Sequence, residues 1–108
     1  MLPAMSNEKT KRQSGVLTEE RPKTKRPPLY KVLLHNDDYT PMEFVVAVLI
    51  QIFRHDETTA NQVMLHVHRS GIGVAGVYPF EVAETKVAQT LAAAKNHEYP
   101  LQCTCEAE

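Results

Sequence analysis

No stretch of this 108-residue chain is both long and apolar enough to span a bilayer. The longest apolar run, around Val45 to Ile52, falls well short of the roughly 20 residues a span needs, and nothing resembles a signal peptide. A cytoplasmic protein without membrane association is therefore expected. Cysteine is scarce as well, with only Cys103 and Cys105 present. Two apart in a predicted strand, they point to one face, where a disulfide between them would be strained; they read as reduced packing residues. His66 and His68 lie about 160° apart around a predicted helix and cannot chelate together, so no metal site is expected, and no cofactor either. There is no glycine-rich phosphate loop, and no motif sets a Ser or Cys beside a base. An enzyme using Asp37, Asp38 and His68 as acid and base, or Cys103 as nucleophile, is accordingly a weak alternative.

The net charge is only −1, which gives no overall nucleic-acid signature, but it is unevenly spread. Residues 1–28 carry about +4 and the remainder about −5. With Pro3, Pro22, Pro27 and Pro28, few large apolar groups and no periodicity, residues 1–28 read as a disordered extension whose basic run, Arg21 to Arg26, is an ordinary solvated tether. Residues 29–108, in a chain that is 43% hydrophobic, suffice for one compact domain.

Within that domain the patterns predict strand, helix, helix, strand, helix, strand. Tyr30 to His35 alternates, with Tyr30, Val32 and Leu34 on one face. Asp56 is placed to cap a second helix, with Ala60, Val63, Met64 and Val67 as its apolar stripe and Gly71 as its C-cap. The segment Gly71 to Tyr78, bounded by Pro79, suits a strand with a bulge. A third helix runs from about Pro79 to Asn96 with a narrow inner stripe of Ala83, Val87, Leu91 and Ala94, and a final strand puts Leu101, Cys103 and Cys105 on one face. An α+β fold follows, with three helices on one face of a small, three-stranded, mostly antiparallel sheet.

The richest segment is His35-Asn36-Asp37-Asp38-Tyr39-Thr40-Pro41-Met42-Glu43. Thr40 suits an N-cap, Pro41 the first helical position, and Glu43 the carboxylate of a capping box. Asn36, Asp37 and Asp38 precede that helix start. Such residues form turns, yet three acceptors together exceed what one turn needs, and a donor-rich ligand is the alternative. The helix that follows has an apolar arc of about 240° from Met42 to Phe53, against the roughly 100° of a surface helix. A central core helix accounts for this; so does a helix with one flank in the core and another lining a pocket.

Taken in order, Asn36-Asp37-Asp38-Tyr39-Thr40-Pro41-Met42-Glu43-Phe44-Val45, Met64-Leu65-x-Val67-His68, Gly76-Val77, Glu81-Val82-Ala83-Glu84-Thr85-Lys86-Val87-Ala88 and Pro100-Leu101-x-Cys103 closely resemble the ClpS family, adaptors of the bacterial ClpAP protease. The resemblance spans nearly all of residues 29–106. It implies a fold shared with the C-terminal domain of the ribosomal stalk protein. It also implies a monomeric adaptor that binds destabilising N-terminal residues, chiefly Leu, Phe, Tyr and Trp, and delivers their owners to the ClpA unfoldase. By the same resemblance Asn36, Asp38 and His68, with Asp37 nearby, would surround the substrate's α-amino group. Thr40, Met42, Val45, Val46, Met64, Val67 and Leu101 would form the side-chain pocket, with Met42 as gatekeeper. Glu81, Thr85 and Lys86 would dock on the ClpA N-terminal domain, and the extension would take part in delivery. No role carries over to His35 or His66.

The residues suit that chemistry. A free α-amino group, with a pKa of about 7.7 to 8.0, is largely an ammonium with three donors near neutral pH. Asp, Asn and neutral His supply acceptors, whereas an internal or acetylated residue would leave them unpaired. A general interaction module, ribosome-associated or otherwise, is the remaining alternative, but simple docking needs no ammonium cage.

Overall fold

The computed structural model describes residues 26–108. The extension predicted for residues 1–28 therefore lies outside the described residues, apart from 26–28, which run without regular structure into the first strand. The order is β1 (Leu29–His35), α1 (Met42–Gln51), α2 (Glu57–Ser70), β2 (Ile72–Pro79), α3 (Phe80–Asn96) and β3 (Gln102–Ala107). The α+β architecture is the one predicted, and the sheet, in the order β2-β1-β3, is antiparallel throughout.

Central β1 buries Val32 and Leu34 completely, with Tyr30 half-buried against the same core. Leu33 points to the other face. It is nevertheless only 8% exposed, because Val74 of β2 and Thr104 of β3 flank it in register. The bulge expected in the second strand falls at Ala75: Val32 pairs with Gly76 and Leu33 with Val74, leaving Ala75 as the extra residue. Its carbonyl accepts a hydrogen bond from His55 Nε2 at 2.6 Å, tying the link between α1 and α2 to the sheet.

The wide apolar arc of α1 is used on more than one side. Val45, Val48 and Leu49 are buried in the core, while Phe44 meets the Tyr99 ring edge-on at a centroid distance of 4.9 Å, covering a second flank. At its far end the Ile52 carbonyl accepts a hydrogen bond from Lys86 Nζ at 2.6 Å.

Helix α3 departs from its predicted stripe. Ala83 and Ala94 are buried, but Thr90 takes the third buried position and Leu91 is left exposed. Thr90 can be buried because its hydroxyl donates to the Lys86 carbonyl at 2.8 Å. Both cysteines are free thiols; burial pushes the Cys103 thiol up to about 11, against a small opposing effect of its hydrogen bond with Thr90, so it stays protonated. Among the described residues, no helix is long and apolar enough to cross a membrane.

Candidate functional site

The exit of β1 and the end of α2 are laced together at the site. Gly71, at φ 88°, closes α2 in the left-handed conformation, its N–H donating to the Val67 carbonyl at 2.8 Å. Its own carbonyl accepts from the Asn36 N–H at 2.9 Å. The exit of β1 is thereby fixed to the last turn of α2, which brings Asn36 and His68 to one side of the molecule. Just beyond, Gly73 lets α2 settle on β2: a Cβ there would lie 2.7 Å from Val67 Cγ2.

The turn after Asn36 is organised by Asp37. Its Oδ1 accepts from the backbone N–H groups of Tyr39 at 2.8 Å and Thr40 at 2.7 Å, and its Oδ2 accepts from the Thr40 hydroxyl at 2.8 Å. Desolvation pushes the Asp37 carboxyl upward, but these three hydrogen bonds together outweigh it and hold the group below its ordinary value. The capping box expected at Thr40 and Glu43 does not form. The N-cap position is Pro41, with no side-chain bond, and its carbonyl accepts from Phe44 and Val45. The reason is local competition: the Thr40 hydroxyl is already given to Asp37, which rigidifies the chain one turn earlier than predicted. Asp56, by contrast, caps α2 as expected, accepting from the Thr59 N–H at 2.7 Å.

Between this turn, the start of α1 and the end of α2 lies a cavity of about 240 Å³. Asn36, Asp37 and Asp38 line it from the turn and His68 from α2; Thr40 and Met42 stand at the start of α1; Val45, Met64 and Val67 form apolar walls. Asp37 is largely occupied with the turn. Among the described residues, the side chains of Asn36, Asp38 and His68 make no hydrogen bond to the protein, and their acceptors are available. Such a volume lies below the roughly 300–1,000 Å³ of pockets that enclose drug-sized ligands, and suits a single residue.

Two residues expected in the pocket do not line this cavity directly. Val46, although close to Met42 around α1, does not line the cavity and is half-buried against the core. Leu101 is buried behind the wall, in a narrow cleft of about 10 Å³ shared with Thr40, Val45 and Val67. The residues expected to dock on a partner lie on the first half of α3. Glu81 and Thr85 are exposed in line with one another, the Thr85 hydroxyl donating to the Glu81 carbonyl at 3.0 Å. Lys86 is half-buried; besides bonding Ile52, its Nζ sits 5.7 Å from the centre of the Tyr78 ring.

A second hollow has little trace in the sequence. It is a wide groove of about 870 Å³ between the end of α3 and the turn, lined by Tyr39, Leu91, Tyr99, Pro100 and Leu101 together with Ala94, Lys95, Glu98 and Gln102. It is larger than the cavity but has no comparable cluster of free acceptors. The one signal for it was Tyr39, an aromatic residue in a polar turn where no core could reach it.

Residues 25–104 match the family described as "ATP-dependent Clp protease adaptor protein ClpS". The ClpS adapter of Maricaulis maris is 60% identical over 95 residues, covering 88% of this chain and 87% of the relative. That of Phenylobacterium zucineum is 58% identical over 94 residues, covering 87% and 86%. Among solved structures, Agrobacterium tumefaciens ClpS2 bound to L-phenylalaninamide superposes with a TM-score of 0.74 at 47% identity, over 77% of this chain and 100% of that one.

Proposed function

The chain belongs to the ClpS family of adaptor proteins of the ATP-dependent Clp protease, and from that premise we propose that its cavity grips the unblocked N-terminus of a substrate protein. The observation that carries this reading is the meeting of free acceptors from two elements, Asn36 and Asp38 from the turn and His68 from α2, beside the apolar walls of Val45, Met64 and Val67. An α-ammonium group would fill the acceptors and the first side chain the apolar space, as a relative's capture of L-phenylalaninamide suggests. Hydrogen bonds to a charged group are worth about 1.5 to 3 kcal/mol each, and burying a Leu or Phe side chain about as much. Together they reach the roughly 8 kcal/mol of micromolar binding when the site is preformed, which the Asp37 turn provides. Substrates beginning with Leu, Phe, Tyr or Trp are favoured. Met42, 41% exposed at the mouth, crowds β-branched first residues.

The protein carries such substrates to the unfoldase of the protease. The partner in this reading is the N-terminal domain of ClpA, docking on Glu81, Thr85 and Lys86. The adaptor domain, residues 29–108, acts as a cytoplasmic monomer and its extension, residues 1–28, assists delivery. The test is a fluorescence titration with peptides beginning with Leu or acetyl-Leu. The acetylated peptide and the Asp38→Ala variant should each lose about 10- to 100-fold in affinity. Equal affinity for Leu and acetyl-Leu would end the proposal.

A further inference from the structure

The cavity and the open groove are separated by a single turn. Tyr39 stands in the chain between Asp38 and Thr40, both of which line the cavity, yet its own side chain lines the groove and is 78% exposed. Leu101 is shared too, facing the groove on one side and the narrow cleft with Thr40, Val45 and Val67 on the other. The ridge between the two hollows is thus the short stretch that Asp37 holds in place. Across the groove, Leu91 is 38% exposed, off the buried stripe of α3, and Tyr99 and Pro100 extend the apolar lining. Aromatic and aliphatic groups gathered this way beside a binding cavity mark a contact surface more than a solvated face.

We infer that this groove receives the stretch of substrate polypeptide immediately after the first residue, positions 2 to 4, and favours apolar or aromatic side chains there. The inference rests on the reading that the cavity holds residue 1. Once that residue is anchored, an extended chain advances about 3.3 to 3.6 Å per residue, so three more residues reach about 10 Å beyond the cavity, past a ridge built from one turn. Lys95, Glu98 and Gln102, which also line the groove, supply donors and acceptors for the main chain of the incoming segment. Lys95 and Glu98 carry opposite charges, so the selection is by apolar contact and not by charge. Substrate choice then has two parts, an exclusive one at residue 1 and a graded one after it.

Titration calorimetry with three ligands separates the two parts: L-phenylalaninamide, which is too short to reach the groove, Phe-Leu-Phe-Leu-amide and Phe-Ser-Ser-Ser-amide. In the wild type the apolar peptide should bind about three- to tenfold more tightly than the serine peptide. In Tyr39→Ala and Leu91→Ala that advantage should vanish, while L-phenylalaninamide binds as in the wild type and so reports an intact fold and cavity. Tyr39 contributes to the turn only through its backbone N–H, which the substitution keeps. Equal binding of the two peptides by the wild type, or an advantage retained in both variants, would overturn the groove proposal alone. Failure of L-phenylalaninamide to bind the wild type would overturn the cavity reading, and the groove proposal with it.

Discussion

The turn before α1 and the first half of α3 handle polar side chains in opposite ways. Around the cavity, one residue, Asp37, absorbs the local backbone donors and Asn36, Asp38 and His68 keep their acceptors unengaged, as the proposed function requires. On α3, Thr85 and Lys86 give hydrogen bonds to the chain itself, to the carbonyls of Glu81 and Ile52. A polar residue at a binding surface can thus be free because a neighbour does the structural task, or can perform that task itself. Substitutions that look alike in sequence should then differ in what they change.

The sharpest contrast is between neighbouring aspartates. Asp38→Ala should remove affinity and leave stability alone, whereas Asp37→Ala should remove both, costing about 1–2 kcal/mol in denaturant unfolding because three hydrogen bonds lose their acceptor. Acidity sharpens this further. A carboxyl whose folded value lies below its unfolded one leaves the unfolded state holding more protons between the two. Asp37 therefore stabilises the fold fully above its ordinary carboxylate range, and that contribution is lost as pH falls through the lowered folded value. Asp37→Asn should flatten this part of the acid dependence of unfolding; an unchanged slope would mean that the turn does not depend on the ionised group.

On α3 a smaller effect is expected. Lys86→Met strips the Ile52 carbonyl of its donor and should lower stability by about 1 kcal/mol, a drop of roughly 4–8 °C in Tm by calorimetry. Such a loss leaves nearly all molecules folded. A fall in binding to the ClpA N-terminal domain would therefore report docking, while unchanged binding would assign Lys86 to the scaffold alone. Smallest of all, Met42→Ala should improve binding of peptides beginning with Val or Ile by about threefold with little change for Leu. No gain would remove Met42 as gatekeeper.

Features determined within a few residues were readable in advance. Asp56 and Gly71 sit at the ends of α2 as their local chemistry demands. The start of α1 differs from its expected form because Asp37 and Thr40 are both competent caps, and spacing alone does not tell which one captures the amides. On α3, hydropathy favoured Leu91 over Thr90, since it does not register a hydroxyl satisfied by the carbonyl one turn back. Most of the cavity followed from the family resemblance, but spacing does not separate Val46 from the wall residues, since it lies only about 40° around α1 from Met42. The groove was hidden because it joins the turn to the distant end of α3, a meeting that only the folded chain displays.

Gly73 ties the sheet to the wall of the cavity. Val67 is wedged between that bare backbone position and the cavity, so in the proposed reading β2 would act as a backstop fixing how deep an incoming side chain can sit. Under the proposed reading, a glycine that makes no contact with the amine would thereby set a size limit for the guest, one that could be retuned without altering any of the acceptors.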